Sequence, residues 1–111
     1  MSELTRFEEQ IMLSVWRLQN GAYGITIYKH ICNITGKDLA IGGIYFPLER
    51  LVKKGYLEAY QGEPTAVRGG QSKRYYRLTK NGVSELLKAR ETQEEFWKDL
   101  PDMGIIAKET I

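Results

Sequence analysis

Gly55-Tyr56-Leu57-Glu58-Ala59-Tyr60-Gln61, followed after a loop by Lys73-Arg74-Tyr75-Tyr76-Arg77-Leu78-Thr79, is where the chain changes its period. Apolar and polar residues alternate here, and the aromatic and aliphatic side chains favour extended backbone. The reading is two strands, Tyr56 to Gln61 and Lys73 to Leu78. They are joined by a ten-residue loop, Gly62 to Gln71, that contains Pro64, Gly69 and Gly70. This makes a hairpin with a long, basic tip.

Everything upstream of the hairpin has helical spacing. Thr5 and Glu8 form a capping box, and Phe7, Ile11, Met12, Val15, Trp16 and Leu18 give the first helix a wide apolar face. Asn20-Gly21 ends it. A second helix starts near Ile25 or Thr26, with Ile27, Ile31 and Ile34 on one face and Gly36 as its stop. A third runs from about Ile41 to Lys54 with Ile44, Leu48, Leu51 and Val52 apolar. Gly42 and Gly43 weaken its first turn by about 1 kcal/mol each relative to alanine, and Pro47 is tolerated only near its start.

Downstream, Thr79 caps a helix that reaches Lys98 or Leu100, where Pro101 stops it. Val83, Leu86, Leu87, Arg90, Gln93, Glu94 and Trp97 mark one of its sides. The tail from Asp102 to Ile111 has no clear period. The order α-α-α-β-β-α makes a mainly α chain of the α+β class, a winged helix-turn-helix. Its divisions are a winged-helix domain over 5–79, a C-terminal dimerisation helix over 80–100 and a tail over 101–111. In this arrangement the third helix is free to enter a DNA major groove, and the hairpin lies beside it as the wing.

Composition narrows the function. The 111 residues suit one domain, and 42% hydrophobic with 27% charged residues is ordinary for a globular protein. His30 and Cys32 stand alone as the one histidine and one cysteine. Neither a four-ligand zinc site nor an internal disulfide can be built from them. No glycine pair continues into a phosphate-binding loop, and no paired arrangement of carboxylates and tyrosines suggests an enzyme. We therefore expect no catalytic residues, no metal and no cofactor. The N-terminus is polar and mixed in charge, and no apolar run approaches the ~20 residues of a bilayer span, so the expected home is the cytoplasm, away from membranes.

Charge is unevenly spread. Residues 1–52 are neutral overall, residues 53–80 carry +5 and residues 81–111 carry −3, within a chain of net charge +2. One positive face follows, suited to an acidic partner such as double-stranded DNA. A lysine-rich solvated surface is the plainer alternative.

The chain resembles the PadR family of bacterial transcriptional regulators, in the branch with a single C-terminal helix. The resemblance covers residues 7–90. It is carried by Ala22-Tyr23-Gly24 with Ile27-Tyr28, by Gly42-Gly43-Ile44-Tyr45 with Pro47-Leu48-Glu49-Arg50-Leu51 and Lys54-Gly55-Tyr56-Leu57, and above all by the run from Arg68 to Gly82. The family usually has proline directly after the helix 3 tyrosine, whereas here Phe46 intervenes. Gly43 stands where the family often has a small hydroxyl residue.

The resemblance implies a homodimeric repressor on a palindromic operator, and residue by residue it points to the DNA-facing set. Tyr45 would reach a phosphate or a base edge, Phe46 a thymine methyl or else the core, and Gly43 lies beside them. Arg50 would reach DNA or else pair with Glu49 or another neighbour. Arg68, Lys73 and Arg74 belong to the wing, and Tyr28 and Lys29 on the second helix would support a backbone contact. Tyr75, Tyr76 and Arg77 read as structural, and Tyr23 as packed on the first or second helix. His30 reads as a surface histidine and Cys32 as a buried small residue; a pH sensor or thiol switch is the sharper alternative.

A second set faces a partner copy or an effector. Trp16 is read as core or dimer interface. Leu86, Arg90, Phe96 and Trp97 lie on the last helix, where Trp97 needs cover. In type and place Trp97 resembles the tryptophan that lines an effector pocket in multidrug-responsive relatives, which implies a small aromatic or hydrophobic effector. A winged-helix module that binds protein instead of DNA is the competing reading.

Overall fold

The computed structural model describes residues 3–62 and 73–109. Helix α1, Arg6–Leu18, begins at the capping box: Thr5 Oγ1 accepts from Glu8 N at 3.1 Å, and Glu8 Oε1 accepts from Thr5 N at 2.8 Å. Two orphan donors are thereby satisfied at once. Ile11, Met12 and Val15 on its inner face are buried and sit at the centre of the core.

A 3₁₀ turn, Gln19–Gly21, leads to α2, Gly24–Thr35, which Gly36 ends in the left-handed region at φ 69°. Ile27 and Ile31 enter the core. Ile34, expected on their face, is 69% exposed, because the last turn of α2 carries it past the elements that cover the other two.

The third helix is shorter than expected. Ile41–Ile44 is a 3₁₀ turn, with Gly43 N donating to Ala40 O at 3.0 Å, and α3 spans Tyr45–Lys53. The two glycines disfavour α-helix here, and the tighter turn takes their place. Pro47 becomes the third residue of α3, where the missing N–H has no intrahelical partner to lose. Ile44, Leu48 and Leu51 fill the core from this side. Gly55, at φ 82°, reverses the chain after α3, with Tyr56 N donating to Leu51 O at 3.0 Å.

Strands β1, Leu57–Gln61, and β2, Arg74–Leu78, pair antiparallel with Leu57 opposite Leu78 and Gln61 opposite Arg74. Each is one residue shorter than the reading from sequence. The wing tip, with Arg68, lies outside the described residues. The other edge of β2 is also used: Tyr23 bridges to Tyr75, and Tyr76 N donates to Ala22 O at 2.9 Å. The segment between α1 and α2 thus acts as a minimal third strand, and the wing is hydrogen-bonded to the helical body.

Thr79 starts α4, Lys80–Trp97: its hydroxyl accepts from Gly82 N at 3.0 Å and donates to Gly55 O at 2.6 Å. Eighteen residues make a rod about 27 Å long. Its outer half leaves the body, so the molecule measures 57 × 31 × 20 Å. The tail, which has no legible period, contains a short helix, α5, Met103–Glu109, whose first turn is tied by Gly104 N donating to Asp102 Oδ1 at 2.9 Å. The architecture is a mainly α, α+β winged helix-turn-helix with α4 and α5 appended.

Candidate nucleic-acid interface

Four residues of α3 at helical spacing, Phe46, Glu49, Arg50 and Lys53, face outward, and Leu48 and Leu51 face the core. Two of the four are held by the protein itself. Glu49 takes a two-bonded ion pair from Arg74 of β2: Nε reaches Oε2 at 3.0 Å and Nη2 reaches Oε1 at 2.8 Å. The buried Tyr76 hydroxyl also donates to Glu49 Oε2, at 2.7 Å. Arg74 holds the Glu49 carboxyl below its ordinary value. Burial, together with Glu49, pushes the Tyr76 hydroxyl up to about 12.

Arg50 reaches the other way. Its Nε donates to Glu8 Oε2 at 3.3 Å, with Lys54 Nζ at 4.0 Å from the same oxygen. The partner is therefore Glu8 on α1 and not the adjacent Glu49. Glu8 is almost fully buried. Burial alone would raise its carboxyl, but the Thr5 N–H, Lys54 and Arg50 outweigh it and hold it below the ordinary value. The Arg50 guanidinium also lies over the Phe46 ring, 5.5 Å from its centroid.

Phe46 itself is 74% exposed and takes no part in the core. Tyr45 is half-exposed and lies against the start of α2: a Cβ at Gly24 would come within 2.6 Å of its ring. Gly43 and Lys29 are exposed. Tyr28 is turned inward, its hydroxyl donating to Leu39 O at 2.6 Å, so it holds the turn between α2 and α3.

At the base of the wing, Lys73 Nζ sits 4.3 Å above the Tyr23 ring and donates to its hydroxyl at 3.2 Å. Tyr23 meets Tyr75 edge-on with centroids 5.3 Å apart, and Tyr60 stacks on Tyr75 at 5.7 Å. Tyr23 thus packs on the wing. Arg77 is paired with Glu58 across the strands at 3.1 Å. The structure brings Tyr45, Glu49, Lys73 and Arg74 together beside the start of α2, while Phe46 lies against Arg50, which is drawn to the α1 side.

The second set divides. A groove of about 510 Å³ between α1 and α4 is lined by Leu13, Trp16, Val83, Leu86, Leu87 and Arg90. Trp16 is 59% exposed there and is not core. Arg90 is ion-paired with Glu94 at 2.7 Å. Phe96 and Trp97 lie farther out on α4 and do not line this groove. His30 and Cys32 are half-buried. The buried Ser14 hydroxyl donates to Gln10 O at 2.7 Å, so at 2.8 Å it accepts from His30 Nδ1.

Glu8, Glu49 and the Ala22–Tyr23 bridge are the parts that sequence reading missed. The capping pattern marks Glu8 as an N3 carboxylate, but no local signal announces that the same carboxylate meets Arg50 forty-two positions away.

A sequence model of the transcriptional regulator PadR-like family matches residues 12–88, more than half of the chain. The chain belongs to the PadR-like family. It is a transcriptional regulator. A transcriptional regulator from Clostridium thermocellum is 28% identical, with 83% of this chain and 84% of that chain covered at a TM-score of 0.63. A PadR family transcription regulator from Clostridium difficile is 25% identical, with 81% and 90% covered at 0.59. RosR from H. salinarum, at 22% identity, shares the fold over 97% of this chain and 94% of that chain, with a TM-score of 0.65. An uncharacterized protein from Lysinibacillus sphaericus is 37% identical over 76 residues, which are 64% of this chain and 67% of that one. The PadR-like match contains both α3 and the paired strands of the wing, so the surface described above lies within the family's shared region.

Proposed function

We propose that this PadR-like protein is a homodimeric, sequence-specific DNA-binding repressor. The observation that carries this reading is the placement of α3. Its inner face is sealed by Leu48 and Leu51, while Tyr45 stands exposed beside the cationic wing base of Lys73 and Arg74 and Phe46 stands exposed against Arg50. One helix of this diameter fits a B-DNA major groove, and cations beside it reach phosphates. Residues 5–79 form the DNA-binding domain, and residues 80–100 the dimerisation segment, helical over Lys80–Trp97 and not to Lys98 or Leu100. A twofold dimer requires a palindromic operator with half-sites roughly 34 Å apart.

The groove between α1 and α4 supports self-association, since Leu13, Trp16 and Leu87 expose apolar surface that a second copy would cover. A small aromatic or hydrophobic effector would enter between the joined C-terminal helices. It would release the operator only by favouring one arrangement of the two heads over the other.

The experiment is selection from a random duplex pool, followed by fluorescence anisotropy on the recovered duplex from about 50 to 300 mM salt. A recovered palindrome with steep salt dependence supports the proposal. Absence of enrichment, with weak binding even at low salt, overturns it in favour of a winged-helix module that binds protein.

A further inference from the structure

On the outward stripe of α3, the two groups able to hydrogen-bond to base edges from mid-helix are already engaged. Glu49 accepts from Arg74 and Tyr76, and Arg50 donates to the buried Glu8. What this stripe presents outward at its N-terminal end is a hydrocarbon ring, Phe46, 74% exposed. The ring is backed on one side by the Arg50 guanidinium at 5.5 Å, and that guanidinium is in turn anchored on Glu8. The stack gives the exposed ring a fixed support one turn along the helix, reaching back to α1.

An exposed phenyl ring on a surface that docks in a major groove needs an apolar partner there. Among the four unmodified bases, thymine alone offers one, its C5-methyl group; the remaining groove edge is built of hydrogen-bond donors and acceptors. We propose that Phe46 is a specificity-determining residue that reads a thymine methyl, once in each half-site. This inference rests on the DNA-binding reading above. It differs from base readout by Arg50 or Glu49, which would need their present ion pairs to break.

The test uses the full chain and the duplex recovered by selection, remade with deoxyuridine replacing one thymidine at a time. This change removes only the methyl group. The expected result is an approximately fourfold loss of affinity at one symmetric pair of positions, the worth of about one buried methyl. Phe46→Ala is expected to bind the thymidine and deoxyuridine duplexes equally, and Phe46→Leu to keep part of the preference. Circular dichroism of each variant establishes that it is folded before binding is read.

The inference is overturned if the unaltered protein is indifferent to every deoxyuridine. It is equally overturned if Phe46→Ala retains the loss, since another side chain then reads the methyl. Failure of the proposed function itself looks different: no duplex is enriched in the selection, and the inference falls with it.

Discussion

Glu49 and Arg74 join the third helix to the second wing strand through two parallel hydrogen bonds, at 3.0 and 2.8 Å. Both side chains are about half-exposed, so their Coulomb attraction is screened and worth at most about 1 kcal/mol. The larger consequence lies behind them. The Tyr76 hydroxyl belongs to a buried ring and depends on the same carboxylate at 2.7 Å. Arg74→Ala is expected to cost under about 1 kcal/mol. Glu49→Ala is expected to cost about 1–3 kcal/mol, because a buried hydroxyl loses a charged acceptor. Urea denaturation of both variants, with Tyr76→Phe added to Glu49→Ala, checks this. Once Glu49 is gone, removing the Tyr76 hydroxyl should cost almost nothing further.

Acid should destabilise the fold through Glu8 and Glu49. Both carboxyls are held below the ordinary glutamate value of 4.5. A group whose folded value is depressed contributes fully above its unfolded value, and the contribution is lost as pH falls through the folded value. Stability is therefore expected to be insensitive to these groups above about pH 5 and to fall below about pH 4.5. Glu8→Gln keeps an acceptor for the Thr5 N–H but cannot titrate. Its urea midpoint should be lower than that of the unaltered protein at pH 7, and the gap should narrow toward pH 3.

Gly82→Ala tests how α4 is seated. A Cβ at this position would run into the carbonyl oxygen of Tyr56, a backbone atom that also accepts from Thr79 N at 3.2 Å. Backbone cannot swing aside as a side-chain tip can, so a loss of about 1–3 kcal/mol is expected. Thermal unfolding followed by circular dichroism should show it. An unchanged midpoint would mean that the first turn of α4 moves freely against the wing.

The α1–α4 groove makes its own demand. Leu87 and Trp16 stand exposed on it in the single chain. Leu87→Glu places a charge in each half of a twofold interface. If burying this leucine is worth about 1.5–3 kcal/mol per copy, the dimer should weaken by a hundredfold or more. Sedimentation equilibrium measures that shift, and helix content should be unchanged. Equal association of Leu87→Glu and the unaltered protein would exclude this groove as the contact.

The clearest local signals became the elements they announced. Thr5 with Glu8 starts α1, Thr79 starts α4, Gly36 and Gly55 end helices in the left-handed region, and the alternation after Tyr56 becomes β1. Where two local preferences competed, sequence reading overran. Ile41–Ile44 has apolar residues at helical spacing, but Gly42 and Gly43 tip it into a 3₁₀ turn. The tail helix α5 is too short for its period to be read.

The order of elements, the fold class and the concentration of positive charge near the wing were properties of the sequence itself. They depend on residue spacing, capping and turn chemistry, which act over a few positions. The partners of charged groups were decided only by the tertiary structure. Arg50 meets Glu8 across 42 positions, Arg74 meets Glu49 across 25, and β2 gains a second neighbour at Ala22 and Tyr23. A long side chain can reach any opposite charge within several ångströms, and which one is in reach depends on how the helices cross. That crossing engages Arg50 and Glu49 in ion pairs on the outward surface and leaves the Phe46 ring exposed beside them.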